Sequence, residues 1–566
     1  MSVNHAVAEQ GASTVDKNKS APKTVIEHII SRLVEIGITD VFGVAGDFAF
    51  PINDAVCDNE HMRWIGSCNE LNAAYSADGY ARIRSMSALC TTYGVGELGA
   101  IAGVAGAYAE NLPIFHLVGM LASRTQSARR LVHHTLGNGE FELFHHMTGP
   151  VVCASAIITP QNCATEMERL IAAAMYHRRP VYIAIPTDHA TSPLLGTAEP
   201  YNLSISDHDS LTAATKALLD AIHGAQSVCV VPGIILARAG LKEITTRFLK
   251  ASNLPFVTMF MDKAVVDETL DNYVGMYDGQ LMNEEVRQFV ERSDLAIGIG
   301  AALTDFNSGS FMAKIETAKS ANIMLHSVRV GEKVFNNVEM KDVIAALASQ
   351  IEAKDTVVHK KIGLDIQISR VGDKISAEYL YPRWQQMLKE GDILVAETGT
   401  SSMGMGFASM PRGSTFHNQA LWGAIGWATP ASFGASLAAP ERRTILITGD
   451  GSHQLTAQEI GQFHRFNLKP IVFVLNNDGY LIERLLCKNP ESAYNDVAQW
   501  KYHELPQAFG CKDWFTTKVT TCDELDAAIQ KAEASGTGAY IEVVTDRYAA
   551  SPLALKLQSA TQTLYS

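Results

Sequence analysis

Apolar residues are spaced along the chain in two ways, and each spacing predicts a different element. Residues 25–36 carry apolar side chains at the intervals of an amphipathic helix, and Gly37 follows as a natural stop. Elsewhere the apolar residues form short uninterrupted runs, which are typical of strands buried on both faces of a parallel sheet. We predict such strands at residues 40–44, 88–93, 114–118 and 180–185, with helices at 70–83 and 96–111 between them.

The same alternation recurs twice further along the chain. Strand-like runs occupy residues 227–231, 255–258, 295–299 and 322–327 in a second block, and residues 393–396, 444–448, 471–475 and 539–544 in a third. Segments with the composition of linkers separate the blocks at residues 192–209 and 353–370. Strands that alternate with helices predict three α/β domains in series, each built on a doubly wound parallel sheet. The predicted domains cover residues 23–191, 210–352 and 371–556, with a disordered tail at 1–22 and a C-terminal tail at 557–566.

Composition and charge narrow the range of functions. The 566 residues are 47% hydrophobic and 19% charged, as expected for a folded enzyme rather than a disordered chain. A formal net charge of −14 argues against nucleic acid or an anionic membrane surface as a partner. No apolar run of about 18 residues predicts a membrane-spanning helix. The nine cysteines show no CxxC spacing and the N-terminus has no apolar signal region, so we expect a cytoplasmic enzyme with free thiols.

Two glycine-punctuated motifs in the third block carry the strongest chemical signal. G-D-G-S at residues 449–452 follows the strand at 444–448, and N-N-D-G at residues 476–479 follows the strand at 471–475, with 24 residues between the G-D-G triplet and the first Asn. Loops at the carboxyl ends of neighbouring parallel strands face one crevice. Glycines let main-chain N–H groups approach phosphate, and carboxylate and amide oxygens are ligands that suit Mg²⁺. Either motif alone would indicate a turn, whereas the two together predict a phosphate and metal site.

This pair of motifs is that of thiamine-diphosphate enzymes, and the chain resembles the pyruvate decarboxylase and indolepyruvate decarboxylase family over nearly all of its length after the N-terminal tail. The resemblance implies thiamine diphosphate and Mg²⁺ as cofactors. It also implies that the metal is held by Asp450, Asn477 and the carbonyl of Gly479. The cofactor-binding residues implied in the same way are Glu70, Thr398, Thr400, Gly423, Ile425, Gly451, Ser452, Asn477 and Gly479.

Glu70 is the candidate for the carboxylate that activates the cofactor. Its segment, C-N-E-L-N-A at 68–73, is similar to the family's activating-Glu helix. Without the motifs of the third block, the residue would be interpreted as a first-turn glutamate favoured by the helix dipole. W-G-A-I-G at 422–426 resembles the family's W-G-x-I-G, which implies that the Gly423 carbonyl accepts from the cofactor's 4′-amino group and that Ile425 bends the cofactor. A plain core role for Ile425 stays open.

Four further residues match the family's proton-handling groups, through the motifs V-A-G-D, H-H-T-L-G and G-Y-L-I-E. The resemblance implies catalytic roles for Asp47, His133, His134 and Glu483. Taken alone, these residues would be a turn aspartate, surface histidines and a solvated helix glutamate. Groups of this type that lie close together can shift each other's pKa values towards working pH. The histidine pair favours simple decarboxylation over the alternative activity, an acetolactate-synthase-like carboligation.

The expected substrate and assembly also come from the resemblance. Ser402 stands where narrow bacterial pyruvate decarboxylases carry a bulky Trp, and Ile482 and Leu486 would line the pocket with apolar surface. We expect the chain to convert aromatic or branched 2-oxo acids (indolepyruvate, phenylpyruvate, branched-chain acids), as well as pyruvate, to aldehyde and CO2 through an ylide and an enamine of the cofactor.

Because the Glu70 and Asp450 motifs lie in different domains, the resemblance implies a homodimer as the minimum active unit and a homotetramer as the assembly. A non-catalytic cofactor-binding protein is the alternative from another class, and the intact motifs argue against it.

Overall fold

The computed structural model describes residues 24–354 and 367–565, with side chains described as far as residue 559. The tail expected at 1–22 and most of the linker expected at 353–370 lie outside the described residues. Three β-sheets follow one another along the chain, with helices packed on both sides. The predicted α/β class and the three-sheet architecture are therefore confirmed.

The first sheet has six strands, all parallel, in the order β2-β1-β3-β4-β6-β5. The apolar pattern reveals its four central strands but not the edge strands β2 and β5, because each edge strand buries only one residue. The strands are β1 Asp40–Gly43, β2 Arg63–Gly66, β3 Ser87–Thr92, β4 Ile114–Met120, β5 Ala154–Ile157 and β6 Val181–Pro186. The helices are α1 Val25–Glu35, α2 Phe50–Cys57, α3 Glu70–Arg84, α4 Val95–Ala109, α5 Ser123–Ser127, α6 Leu143–Thr148, α7 Cys163–His177 and α8 Thr187–Ala190.

The second sheet has seven strands in the order β13-β12-β11-β10-β7-β8-β9. Strand β12 runs antiparallel to β11, and β13 runs antiparallel to β12. The single strand expected at 322–327 is therefore the end of β11, a turn and the start of β12. The strands are β7 Val228–Pro232, β8 Phe256–Thr258, β9 Tyr273–Met276, β10 Leu295–Ile299, β11 Ser320–Met324, β12 Ser327–Val330 and β13 Lys333–Asn336. The helices are α9 His208–Gly224, α10 Ile234–Arg238, α11 Lys242–Ser252, α12 Glu284–Arg292 and α13 Met340–Gln350.

The third sheet has six parallel strands in the order β15-β14-β16-β17-β19-β18. The C-terminal tail expected from residue 557 is instead helical as far as Tyr565. The strands are β14 Ile393–Ala396, β15 Thr415–His417, β16 Thr444–Gly449, β17 Ile471–Asn476, β18 Phe515–Val519 and β19 Ala539–Val544. The helices are α14 Ala377–Met387, α15 Thr400–Met405, α16 Ala428–Ala438, α17 Asp450–Thr456, α18 Ile460–Arg465, α19 Leu481–Leu486, α20 Leu505–Ala508, α21 Cys522–Ala534 and α22 Pro552–Tyr565.

Helix α3 of the first sheet's domain packs against α16 of the third in close main-chain contact. An added Cβ at Gly79 would overlap the carbonyl of Ala431, and one at Gly434 would overlap the carbonyl of Ser76. A single apolar core, which includes Trp427, extends through this contact from the first sheet to the third. The two domains that carry the predicted site residues are therefore held together within one chain.

Across the described ranges, every helix is too short or too polar to span a lipid bilayer.

Candidate active site

The G-D-G and N-N-D-G motifs meet at the carboxyl edge of the third sheet. Strands β16 and β17 are neighbours, with Gly449 in register with Leu475. The Asp450 carboxylate accepts hydrogen bonds from the main-chain N–H groups of Gly451 at 2.7 Å and Gly479 at 3.0 Å. One buried carboxylate thus joins the two predicted loops.

Asp450 is the first residue of α17, and only 1% of its surface is exposed. The helix begins at Asp450 because the chain turns into it directly from β16, which ends at Gly449. Burial raises the pKa of Asp450 to about 6. Among the described residues no basic side chain forms an ion pair with this carboxylate. A divalent cation would supply the missing positive charge.

Asn477 and Gly479 supply further oxygen donors on the loop that contacts Asp450 through the Gly479 N–H. Asn477 is buried, and its side-chain amide makes no hydrogen bond within the described part of the chain. Asp478 and Gly479 both have positive φ angles, +62° and +129°, and an added Cβ at Gly479 would overlap the Asn495 carbonyl. A carboxylate, an amide oxygen and a main-chain carbonyl at a sharp turn fit the ligand preference of Mg²⁺.

The residues predicted to hold the diphosphate lie at the starts of two helices at the same edge. Thr398 Oγ1 is buried and has no hydrogen-bond partner in the described residues, and Thr400 begins α15 after Gly399 at φ +105°. Ser452 is buried in the first turn of α17. Unsatisfied donors at helix starts suit an anion. Gly451 is a glycine because an added Cβ would overlap the Tyr480 ring.

The loop with the predicted pyrimidine contacts lies between β15 and α16. Gly423 has a φ of +68°, and its N–H donates to the Gln419 carbonyl at 3.0 Å. The Gly426 carbonyl accepts from Thr456 Oγ1 at 2.7 Å, which ties this loop to the end of α17. Ile425 is half-buried, so it is not a plain core residue.

Glu70 begins α3 in the first domain, where the Asn69 side chain caps the helix. Its half-buried carboxylate lies over Gly96 and Gly99 of α4, where added Cβ atoms would come within 3.4 and 3.3 Å of its oxygens. No hydrogen bond to this carboxylate comes from the described residues. The helix start is fixed instead by Asn72, whose Nδ2 donates to Glu459 of the third domain at 2.8 Å. Glu70 is thus held in place with its acid group unpaired.

Asp47, His133 and His134 form one cluster on the first domain. His133 Nε2 lies 2.7 Å from Asp47 Oδ2, and His134 Nε2 lies 3.8 Å from Asp47 Oδ1. The Phe48 ring stacks on His133 with ring centroids 4.9 Å apart. The structure therefore brings together three of the four predicted proton-handling residues, and it leaves the cluster largely exposed to solvent.

Glu483 lies in α19 of the third domain and is exposed. Ile482 and Leu486 on the same helix are half-buried, and the Ile482 side chain lies 3.6 Å from the Cβ position of Gly399. Ser402 is buried in α15, where its Oγ donates to the Gly399 carbonyl at 3.0 Å. In the described chain, no hydrogen bond or ion pair joins Glu70 or the Asp47 cluster to the metal-site residues. The predicted site residues therefore form two half-sites.

Glu397 belongs to the third-domain half-site, although the sequence motifs do not point to it. This fully buried glutamate directly follows β14, and it accepts hydrogen bonds from the N–H of Thr398 at 3.1 Å and the N–H of Ala428 at 3.2 Å. It also accepts from Thr448 Oγ1 at 3.4 Å, and burial raises its pKa to about 7. Its only sequence signal is a carboxylate directly after a buried strand. It positions three segments around the diphosphate edge.

Fold and half-sites together define the class. Three models of thiamine pyrophosphate enzymes match the chain: the N-terminal TPP-binding domain over residues 23–148, the central domain over 215–351 and the C-terminal TPP-binding domain over 397–543. The described site fits that cofactor, because within the described residues it offers a buried carboxylate without an ion pair at Asp450, an unsatisfied threonine hydroxyl at Thr398 and helix starts at one edge.

Curated relatives narrow the class to a family. The chain is 35% identical over 549 residues to an alpha-keto-acid decarboxylase of Mycobacterium leprae, covering 93% of this chain and 95% of the relative. It is 36% identical over 521 residues to pyruvate decarboxylase isozyme 1 of Saccharomyces cerevisiae, covering 90% and 92%. The chain belongs to the family of thiamine-diphosphate-dependent 2-oxo acid decarboxylases, which are carbon–carbon lyases.

Solved structures agree on the fold. A thiamine diphosphate-dependent 4-hydroxybenzoylformate decarboxylase of Rhodococcus jostii RHA1 matches with a TM-score of 0.75 at 18% identity, covering 92% of this chain and 99% of that one. A thiamin diphosphate-dependent enzyme of Mycobacterium smegmatis matches with a TM-score of 0.74 at 20% identity, covering 93% and 99%.

Proposed function

We propose that this chain catalyses the non-oxidative decarboxylation of 2-oxo acids to an aldehyde and CO2, with thiamine diphosphate and Mg²⁺ as cofactors. The observation that carries the proposal is the meeting of Asp450, Asn477 and Gly479 at the carboxyl edge of the third sheet. Both named relatives are decarboxylases of this substrate class by name. The bound cofactor would supply the electron sink for the carbanion that loss of CO2 leaves behind.

The metal and diphosphate contacts follow from the oxygen donors and the unsatisfied N–H and O–H donors of the third domain. The Asp450 carboxylate, the Asn477 amide oxygen and the Gly479 carbonyl would hold Mg²⁺. Thr398, Thr400, Gly451 and Ser452 would line the diphosphate. Thr398 offers a hydroxyl without a hydrogen-bond partner in the described residues, and Thr400 and Ser452 lie in the first turns of α15 and α17.

Proton handling falls to the first domain. Glu70 can share a proton with a weakly basic pyrimidine ring because its carboxyl group has no hydrogen-bond partner in the described residues and packs against Gly96 and Gly99, which have no side chains. The Gly423 carbonyl would accept from the other edge of that ring, and Ile425 would press against the cofactor. His133, held by Asp47, and the adjacent His134 can take up or return a proton near the substrate. Glu483, on the other half-site, would assist aldehyde release.

Two copies of the chain would complete each active site. Exposed apolar side chains flank both half-sites: Phe50, Leu131 and Leu136 around the Asp47 cluster, and Leu421, Trp422 and Leu455 around the Gly423 loop. Large exposed apolar residues of this kind mark an interaction surface. We propose a homodimer in which each half-site faces the complementary half-site of the partner, a homotetramer as the full assembly, and a cytoplasmic location.

The substrate pocket is proposed to be wide. Ser402 is small and turned towards Gly399, and Ile482 and Leu486 offer apolar surface on the facing helix. A pocket without a bulky side chain at residue 402 accepts longer 2-oxo acids, although one extra methylene changes selectivity by only about 10–200-fold. We propose phenylpyruvate, indolepyruvate and branched-chain 2-oxo acids as substrates besides pyruvate.

The test is aldehyde release from pyruvate, 2-oxoisovalerate, phenylpyruvate and indolepyruvate, measured with and without added thiamine diphosphate and Mg²⁺. We expect release that depends on both cofactors, and activity with at least one aromatic or branched acid. Activity with pyruvate alone would contradict the wide pocket but not the reaction. If the loaded protein formed acetolactate from pyruvate and no aldehyde, the decarboxylase proposal would be wrong.

A further inference from the structure

A pocket separate from the candidate active site, here called the junction pocket, lies where the three domains meet. The end of α3, the start of α11 and the loop at residues 410–415 line it, together with Arg442. Thr415 at the start of β15 is in register with Ile393 at the start of β14, so this is the amino-terminal edge of the third sheet. The candidate active site lies at the opposite, carboxyl edge. The cavity volume of about 420 Å³ suits a small-molecule ligand.

Four basic side chains line the junction pocket without a carboxylate partner. Lys242, Lys250, Arg412 and Arg442 form no ion pair within the described residues, and the Arg442 guanidinium donates only to carbonyls and to the Thr415 hydroxyl. The positive charge is therefore not neutralised by direct contacts.

Three carboxylates also line the junction pocket, and two of them are engaged elsewhere. Glu268 accepts from Lys263 Nζ at 2.5 Å and from the Ala264 N–H at 2.8 Å, and Asp267 accepts from Thr269. Glu243 is exposed and forms no ion pair in the described chain. In the described residues, two carboxylates without a basic partner, Glu243 and Asp267, face four basic side chains without an acidic one, which leaves a net positive pocket.

A buried guanidinium adds an unsatisfied donor. The Arg82 side chain is 1% exposed and lines the pocket; its Nε donates to Asp78 at 2.6 Å and its Nη1 to the Asn418 carbonyl at 2.7 Å. Arg82 Nη2 is buried and has no hydrogen-bond partner among the described residues, although it forms a longer ion pair with Glu110 Oε2 at 3.5 Å. Buried donors without a partner are uncommon in folded proteins and point to a missing acceptor.

Burial and mutual repulsion lower the pKa values of Lys242 and of the neighbouring His417. Burial, with repulsion from Arg442 and Arg238, lowers the pKa of Lys242 to about 8. Burial and the surrounding cations also hold the pKa of His417 well below its usual value. A bound anion would relieve this repulsion.

We propose that the junction pocket binds a small phosphate-bearing anion, with Lys242, Lys250, Arg412 and Arg442 as its counter-charges. Guanidinium groups match phosphate oxygens with paired donors, and lysines add point charges, so this mixture favours phosphate over a monocarboxylate. The site is distinct from the diphosphate site because the two lie at opposite edges of the third sheet.

The experiment is calorimetric titration of inorganic phosphate into protein saturated with thiamine diphosphate and Mg²⁺, at constant ionic strength. Saturation with cofactor blocks the diphosphate site, and binding is read without any catalytic assay. We expect one saturable site per chain, and roughly tenfold weaker binding in Lys242→Met and in Arg412→Gln, since each removes a charge-assisted contact. Arg412 is exposed, so its variant leaves the core intact. Lys531→Met, an exposed change outside the pocket, should bind like the parent chain.

A parallel titration with glycerol 3-phosphate distinguishes free phosphate from a phosphate ester, and either one as the tighter ligand supports the proposal. Absence of saturable phosphate binding would overturn it. So would phosphate binding that neither pocket variant weakens, or a clear preference for malonate over both phosphates.

Discussion

Glu397 shows how burial gives a single residue its role. Its carboxylate accepts from the N–H of the next residue, Thr398, from Thr448 of β16 and from the start of α16, in surroundings dry enough to raise its pKa to about 7. An acceptor with this many donors orients the strand ends around the diphosphate edge without touching substrate.

Replacement of Glu397 by Gln should weaken cofactor binding. The amide places an NH2 group opposite main-chain and hydroxyl donors, so we expect a roughly tenfold higher dissociation constant for thiamine diphosphate, at a cost of about 1–3 kcal/mol. Fluorescence titration measures this constant, and KM for the 2-oxo acid should change little. Glu378→Gln, an exposed change on α14, is the control. An unchanged dissociation constant would remove Glu397 from the positioning role.

Glu70 differs from Glu397 because its carboxyl group is left without a protein partner. We expect Glu70→Gln to bind cofactor and to lose roughly 10²–10⁴-fold in kcat, since an acid–base group of the reaction is lost. Hydrogen–deuterium exchange at the C2 position of the bound cofactor should slow in parallel. Glu285→Gln, an exposed change, should leave both rates unaltered. Normal C2 exchange in the Glu70 variant would count against the assignment.

At the scale of elements, helix starts at strand ends place the site, and one helix pair holds its two domains together. Helix α17 begins directly after β16 and α15 begins three residues beyond β14, while α3 and α16 meet at main-chain distance through Gly79 and Gly434. Close contact of this kind leaves no room for a methyl group.

Gly79→Ala should therefore destabilise the chain. Overpacking of a close contact costs about 1–3 kcal/mol, because the added Cβ overlaps the Ala431 carbonyl and the helices must separate. Scanning calorimetry of the cofactor-loaded protein should show a lower melting temperature. Gly224→Ala, at the end of α9, places its Cβ where no atom lies within 4 Å and serves as the control. Equal melting temperatures for both variants would argue against the tight packing.

Helix α4 contains a carboxyl group that makes stability depend on pH. Glu97 accepts from the Gly94 N–H and the Tyr182 hydroxyl, each at 2.8 Å, and burial raises its pKa from 4.5 to about 7. Because the folded pKa lies above the unfolded one, the folded state retains this proton longer. Its contribution to the free energy of unfolding is present below pH 4.5 and falls by up to about 1.4 kcal/mol per pH unit as pH rises to 7.

Comparison with Glu97→Gln isolates that contribution, since the amide does not titrate. The melting-temperature advantage of the parent chain over the variant should be largest near pH 5 and shrink towards pH 7.5. Calorimetric scans across this range measure it. A difference that stays constant with pH would mean that Glu97 titrates normally.

At the scale of the whole molecule, the division into half-sites has a consequence for assembly. If each active site takes Glu70 from one subunit and Asp450 from the other, a mixed dimer of Glu70→Gln and Asp450→Asn chains has one intact site and one doubly changed site. Mixed dimers isolated through two different tags should regain about half of the parent activity, although each variant alone is inactive.

Mixed dimers of Glu70→Gln with a chain that carries both changes provide the control, because both of their sites lack Glu70. They should stay inactive. No recovery in the first mixture would place Glu70 and Asp450 of a single chain in one site and contradict the shared-site proposal.

The sequence by itself determined the fold class and the meeting of the G-D-G and N-N-D-G loops at one sheet edge. Buried parallel strands appear as apolar runs, and the loops that follow neighbouring strands must open at one edge, so Asp450 and Asn477 could be assigned to one site. The edge strands β2 and β5, the antiparallel hairpin of the second sheet and the helical segment from residue 557 could not be read in the same way. Their residues are half-exposed or lack a clear period, so local pattern carries little information about them.

Only the tertiary structure decided which groups lack partners and which are engaged. Glu397 accepts from two segments that are distant in the chain, at Ala428 and Thr448, and Gly451 is glycine because the Tyr480 ring packs there. The junction pocket likewise combines basic residues that are more than 300 positions apart in the chain. Charge balance and close packing are properties of neighbours in space, whereas a sequence pattern reports neighbours along the chain.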